Sequence, residues 1–223
     1  MNRVIVFDVT ETLLDVGALD PLFIGMFGDA AARREWFGQM LQSAFVSTIT
    51  GPFWDFGTLG KSALTMVAGR RGVELSNEHL TALRDGMRQL PSHPEVREAL
   101  EHLRASGFRV ETLTNSTLEA GEAQLANANL REFQEQTLSA DSVRRLKPAP
   151  EPYRMAAERF GVAVQELRLL AAHAWDIAGA LNAGCAAAFV ARPGQVLDPS
   201  GAQPDIIEPD LRGIAERILA TDR

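Results

Sequence analysis

Val4-Ile5-Val6-Phe7-Asp8-Val9-Thr10-Glu11-Thr12-Leu13-Leu14-Asp15 is the stretch on which the fold of this chain turns. Val4 to Phe7 run without a polar break, the pattern of a strand buried on both faces of a parallel sheet. Asp8 follows at once, where the strand leaves the core. Open α/β sheets bind ligands at the carboxyl ends of such strands. By position alone, Asp8 serves either a ligand or the N-terminus of the next element. The next strong strand pattern, Phe108–Thr114, comes roughly a hundred residues later, although a parallel crossover needs only about a dozen. Structureless loops of that length are rare in compact domains, so the excess reads as an inserted subdomain.

Within the insert, Trp36, Phe37, Met40, Leu41, Ala44, Phe45, Thr48 and Ile49 recur at the spacing of a wide amphipathic stripe. Asp29 is the expected N-cap of that helix and Gly51-Pro52 its stop. Further helices are expected near 59–70 and 77–90, with Gly72 and Pro91 as breaks. Residues 16–90 therefore read as a helical cap, and residues 1–15 with 91–223 as the core.

From Pro91 onward the patterns alternate. Helices are expected at 94–105, 151–160, 175–182 and 211–219, and strands at 108–114, 137–139, 167–172 and 187–191, with an edge strand near 205–207. Ser116 and Glu119 have the spacing of a capping box at the start of one more helix. The expected architecture is α/β, a Rossmann-like doubly wound parallel sheet with the helical cap inserted.

The 223 residues suffice for one sizeable α/β domain and a smaller one. A formal net charge of −7 and a pI near 5.2 argue against nucleic acid or an anionic membrane as partner. No leader pattern opens the chain, and no apolar run approaches membrane-spanning length. The single cysteine, Cys185, has no internal partner and sits among alanines, which points to a reducing cytoplasm.

Four polar clusters follow strand patterns or precede helices: Asp8 to Thr12, Thr114-Asn115-Ser116, Lys147, and His173 to Asp176. A doubly wound sheet brings such positions to one edge. An ionised Asp8 is suited to covalent catalysis on carbon or phosphorus if a cation stands beside it. Thr114-Asn115-Ser116 caps a helix, cradles an anion, or does both. Lys147 precedes Pro148, which biases its backbone to an extended form from which the side chain can be aimed. Tyr153, the only tyrosine, packs its ring on the core or turns its hydroxyl to the site. His173 is structural or a site residue, and Trp175 is core or pocket wall.

In this order, and across nearly the whole chain, the clusters resemble the motifs of the haloacid dehalogenase superfamily. Phe7 to Asp15 resembles its nucleophile motif and Leu146-Lys147-Pro148 its lysine motif. Ala171-Ala172-His173-Ala174-Trp175-Asp176 is similar to the Ser-Ser-Asn-Ala-Trp-Asp run of the type II 2-haloacid dehalogenases. In that branch the residue two places after the nucleophile is not an acid, and here it is Thr10.

The resemblance implies a catalytic set of Asp8, Lys147, Asp176 and Thr12, with Asp8 as covalent nucleophile and Asp176 as the group that orients or deprotonates water. It implies a substrate-binding set of Thr10, Thr114, Asn115, Tyr153, His173, Trp175 and Phe37. The chain departs from the pattern with Ala171 for Ser, with His173 for Asn, and with Phe37 where alignment through Trp36 puts the family's halide-receiving cap arginine. Arg33, Arg34 or a protonated His173 are the candidates to supply that charge.

Asp8, Asp176 and Lys147 together carry a formal −1, so an anionic substrate needs another cation. Metal-independent, cofactor-free hydrolysis of a short 2-haloalkanoic acid is the activity implied, through an ester on Asp8 and in a homodimer. The alternatives are a Mg²⁺-dependent phosphatase on a small phosphoester, or a protein that binds a small acid with little turnover.

Overall fold

β1 (Val4–Phe7) is buried along its whole length, as its apolar run requires. The computed structural model, which describes residues 2–222, sets it inside a parallel sheet. The other strands are β2 (Val110–Thr114), β3 (Thr137–Ser139), β4 (Leu167–Ala171), β5 (Ala186–Val190) and β6 (Ile206–Glu208). Their spatial order is β3-β2-β1-β4-β5-β6, with every neighbouring pair parallel. The chain winds outward from β1 to β3, then returns to β4 on the other side of β1. Phe7 is level with Thr112 of β2 and Leu170 of β4, so Asp8 emerges at the switch point where α/β sheets open a crevice.

The helices are α1 (Asp20–Phe27), α2 (Ala31–Thr50), α3 (Phe56–Arg71), α4 (Asn77–Arg88), α5 (Val96–Ala105), α6 (Leu118–Asn127), α7 (Pro150–Phe160), α8 (Ala174–Ala183) and α9 (Leu211–Thr221). Ile5 and Phe7 pack on one face of the sheet with Leu100 of α5, Leu125 of α6 and Ile214 of α9. Val4 and Val6 pack on the other with Tyr153 and Ala156 of α7 and Ile177 of α8. Alternate residues of one strand thus feed two apolar layers, as a strand's period of two demands.

Helices α1 to α4 lie between β1 and β2 in the chain, where the expected insert falls. Trp36 of α2 ties the first three together: its indole N–H donates to the Gly60 carbonyl of α3 at 2.8 Å, and its ring lies 5.3 Å from that of Phe23 in α1. Gly60 has no side chain to keep α3 away from Met40, whose Sδ would sit 3.1 Å from a Cβ there.

Several local expectations need correction. α1 was not anticipated: Pro21 and Gly25 break its pattern, although proline is well accommodated in a first turn. The capping box at Ser116 and Glu119 does not form. Thr117 is the N-cap of α6, accepting from the Ala120 N–H, and Glu119 pairs with Arg88. Asp29 acts one residue early, accepting from the Ala31 N–H while Ala30 occupies the cap position of α2. Strand and helix ends shift by one to three residues, the largest at the start of α3, which begins at Phe56 rather than near 59. Among the described residues no helix is long and apolar enough to cross a membrane.

Candidate active site

Asp8 leaves β1 with its carboxylate held at both oxygens. Lys147 Nζ donates to Oδ1 at 2.9 Å and Thr12 Oγ1 donates to Oδ2 at 2.7 Å. The Thr12 hydroxyl in turn accepts from the Ala172 N–H at the end of β4, at 3.0 Å, which ties the first motif to the last. Lys147 Nζ also donates to Asp176 Oδ2 at 2.6 Å and to the Leu113 carbonyl at 2.9 Å. All three protons of the ammonium are used, as a fully buried lysine demands.

The loop that aims Lys147 is fixed by Asn115. Its Oδ1 accepts from the Lys147 N–H at 2.8 Å and its Nδ2 donates to the Lys147 carbonyl at 3.2 Å. The Lys147–Pro148 bond is cis. Tyr153 on α7 donates to Asp176 Oδ1 at 2.5 Å. Gly179 on α8 permits this approach: a Cβ there would lie 2.6 Å from both Tyr153 Oη and Pro148 Cβ.

Burial alone would push Asp8 toward its neutral form, but Lys147 and His173 outweigh it and hold the carboxyl far below the usual range. Burial likewise disfavours the Lys147 charge, and Asp176 and Asp8 override it, so the ammonium is raised. Asp176 moves the other way, pushed up by burial and by the nearby Asp8 against the pull of Lys147. Of the two acids, the nucleophile candidate is the one held more strongly in its ionised form.

His173, the N-cap residue of α8, makes no capping bond with its ring. Nε2 meets Glu11 Oε2 at 2.7 Å, while Nδ1 lies 3.7 Å from Asp8 Oδ2, too far for a hydrogen bond. The ring is stacked between Trp175 and Phe37, with centroids at 5.1 and 5.8 Å. Burial opposes its protonation, yet Asp8 and Glu11 prevail and raise its pKa to about 9. The imidazolium places a second cation beside Asp8, but Glu11 brings a carboxylate with it, so the enlarged cluster still carries a formal −1. Arg33, 3.9 Å from Glu11 and bonded to Asp20, backs the acid rather than entering the site.

A histidine raised from 6.5 to about 9 contributes stability that is complete below 6.5 and lost as pH rises through 9. We expect urea unfolding to show about 3 kcal/mol less stability at pH 9.5 than at pH 6 from this group. His173→Asn should flatten that part of the profile; an unchanged slope in the variant would remove the assignment.

Not every anticipated residue is free to meet a ligand. Thr114 Oγ1 accepts from the Ser116 N–H, Asn115 is spent on Lys147, and Tyr153 on Asp176. These three position other groups. Thr10 Oγ1, His173 Nδ1 and Trp175 Nε1 are buried without a hydrogen-bond partner among the described residues.

Several contributors were missed from sequence. Glu11 holds His173 from a left-handed backbone position (φ 65°), with its carbonyl accepting from His93 Nε2 and Oε2 accepting from Gln195. Arg192 donates to the Thr12 carbonyl and pairs with Glu95. Left-handed geometry at a non-glycine residue is a signal only after the backbone is known. A cleft of about 660 Å³ between α3, α4 and α6 reaches Trp36 and Ser116 but is not lined by Asp8, Lys147, His173 or Asp176.

The profile of haloacid dehalogenase-like hydrolases matches residues 2–184. The chain belongs to that family, in the type II 2-haloacid dehalogenase branch. Haloacetate dehalogenase H-2 of Moraxella sp. (strain B) is 28% identical to it over 218 residues, 96% of each chain. (S)-2-Haloacid dehalogenase 4A of Burkholderia cepacia is 30% identical over 180 residues, 80% of this chain and 78% of its own. The L-2-haloacid dehalogenase of Xanthobacter autotrophicus, solved with chloropropionic acid covalently bound, superposes with a TM-score of 0.93 at 22% identity, over 99% of this chain and 100% of that one. In this haloacid dehalogenase-like hydrolase the sheet's switch point, the buried lysine and the two acids thus sit in a fold shared almost end to end.

Proposed function

We propose that this hydrolase converts a short 2-haloalkanoic acid to the 2-hydroxy acid, without a metal, through an ester on Asp8. The observation that carries the reading is the Lys147 ammonium set between Asp8 and Asp176, at 2.9 and 2.6 Å. It keeps Asp8 an ionised nucleophile and takes the place between the acids that a divalent cation needs. With Thr10 where a second acid is required, the residues present do not fit Mg²⁺, and a phosphatase is disfavoured on that ground.

The unpartnered donors of Thr10, His173 and Trp175 are what a carboxylate and a departing halide would satisfy. Phe37 and Trp175 supply apolar walls. Thr12, Asn115 and Tyr153 hold the catalytic groups, and Thr114 holds the Ser116 backbone. The names of the relatives, which act on (S)-2-haloacids and haloacetate, support the substrate class. Residues 16–90 act as the cap that excludes water, over a core of residues 1–15 and 91–223. Exposed Val46, Ile49, Trp54 and Met66 on the cap support a homodimer. Cys185 is a buried free thiol pushed up to about 12, in keeping with a reducing cytoplasm.

Halide and phosphate release from 2-chloropropionate and from a phosphate monoester, each with EDTA or Mg²⁺, tests the reading. Halide release insensitive to EDTA is the expected result. Phosphate release that needs Mg²⁺, or no release in any arm, would overturn it.

A further inference from the structure

We propose that Arg192, oriented by Glu95, is the positioning residue of the nucleophile turn and acts on Asp8 through Thr12. This rests on the dehalogenase reading and goes beyond it, because Arg192 and Glu95 both lie outside the four polar clusters of the sequence.

Arg168 and Arg192 are each buried with carboxylate partners, at opposite ends of the sheet. Arg168 is the second residue of β4 and ties Asp205 and Asp222 to the amino end, away from Asp8. Arg192 lies two residues beyond β5, at the carboxyl end where Asp8 leaves β1. A buried ion pair returns little net stability, since desolvating both charges costs most of what their attraction gives. Arg192 is poorly compensated besides, with Nε buried and without a partner among the described residues. Its location is explained by what it holds.

What it holds is Thr12. Nη1 pairs with Glu95 Oε1, and Nη2 donates to the Thr12 carbonyl at 2.8 Å. The planar fork of a guanidinium fixes both directions at once. Glu95 is anchored in turn: it stands at the N-cap of α5 and accepts from the Leu211 N–H, at the start of α9, at 3.4 Å. The Thr12 carbonyl takes no part in the bonds that the Leu13 and Leu14 N–H groups make to the Val9 carbonyl, at 3.0 and 3.1 Å. The turn's own backbone thus leaves it free, and Arg192 pins it. The Thr12 hydroxyl donates to Asp8 Oδ2 at 2.7 Å while accepting from the Ala172 N–H at 3.0 Å, and its aim depends on where that backbone stands.

The loop that carries Arg192 is itself stiff. Pro193 and Gly194 are the central pair of a tight turn, closed by the Gln195 N–H on the Arg192 carbonyl at 2.8 Å, with Gly194 at φ 85°. Proline presets the first of these positions, and glycine takes the positive φ of the second without strain. Gln195 Nε2 then reaches Glu11 Oε2 at 3.1 Å, so one loop grips two neighbouring residues of the nucleophile turn.

Glu95 cancels the charge of Arg192, so what reaches Asp8 is position and not field. Attack on carbon needs the carboxylate oxygen in line with the bond that breaks, and a misplacement of about 1 Å costs about 10²-fold in rate. Arg192 removes the slack in the turn that would allow such a misplacement.

Single-turnover halide release from 2-chloropropionate, with enzyme in excess, tests the proposal on wild type, Arg192→Met, Thr12→Val, the double variant and Arg168→Met. Each is measured at a temperature where circular dichroism shows it folded. Arg192→Met should slow halide release at saturation about 10-fold and leave the half-saturating enzyme concentration within about twofold. On the Thr12→Val background the same substitution should change the rate by less than about twofold, because the hydroxyl it aims is gone. Arg168→Met should melt earlier than wild type yet release halide at the wild-type rate. An unchanged rate in Arg192→Met, an equal loss from it in both backgrounds, or a loss of the same size in Arg168→Met overturns the proposal. If Arg192→Met does not fold, Arg192→Lys decides in its place. The ammonium keeps the charge without the fork, so the same coupled loss is expected, and a wild-type rate overturns the proposal. A wild type that releases no halide instead defeats the dehalogenase reading itself, and does so before any variant is compared.

Discussion

Asp8→Asn should abolish halide release, with a fall of at least about 10⁴-fold, or about 5 kcal/mol of transition-state stabilisation. An amide oxygen is a poor nucleophile, and the ester on Asp8 cannot form. The substitution also neutralises the group that His173 faces at 3.7 Å. The imidazole of the variant should therefore titrate well below the value of about 9 it has beside the carboxylate, an effect that NMR of the ring protons reads directly. The same neutralisation occurs when Asp8 is esterified, so the variant reports on the charge state of the intermediate. Because the native carboxyl lies below its unfolded value, it contributes stability above about pH 4 that is lost as pH falls through the folded value. The variant should lack that part of the acid dependence. Turnover retained within tenfold of wild type would remove Asp8 as nucleophile.

What sequence conveys about this chain follows from which interactions are local. β1 announces itself because four consecutive apolar residues have nowhere to lie except between two helical layers, and Asp8 stands where they end. The length of chain before β2 forces an insert, and Trp36 to Ile49 supplies its helical stripe. Helix stops at Gly51, Gly72 and Gly161 are legible because each takes a positive φ that glycine adopts freely.

The site was legible only as a list of residues. That Asn115 grips the backbone of Lys147, and that Tyr153 is spent on Asp176, depends on partners 32 and 23 residues away. Such pairings are set by sheet order and helix packing. His173 was visible as a departure from the family's Asn, but the acid that charges it lies 162 residues upstream in the first motif. Glu11 carried no signal of its own. Gly179 looked like an ordinary helical residue, and its meaning appears only where α8 meets Pro148 and Tyr153.

Lys147→Met should give the largest loss of stability of any single change at the site. The methionine keeps the apolar stem but leaves Asp8 and Asp176 buried with no cation between them. Removing one partner from a buried ionic cluster costs about 3–5 kcal/mol, because the remaining charges are neither solvated nor paired. In a protein of this size each kcal/mol lowers the melting temperature by about 2–4 °C, so a fall of about 6–20 °C at pH 7 is expected. The pH dependence separates this cause from loss of packing. Without the ammonium both carboxyls rise, and protonating them relieves the burden, so the deficit against wild type should shrink as pH falls toward about 5. At alkaline pH the difference also narrows. Wild-type Lys147 is raised above its ordinary value, and its contribution, complete below about 10.4, is lost as pH climbs through the folded value. A packing defect would instead lower the melting temperature by the same amount at every pH. Halide release should fall by at least about 10²-fold even at temperatures where the variant is fully folded, since the cation that holds the oxyanion on Asp8 Oδ1 is gone. A variant that melts with wild type at pH 7 would mean that the two acids do not share an ionised pair with Lys147, and the metal-free reading of the site would lose its support.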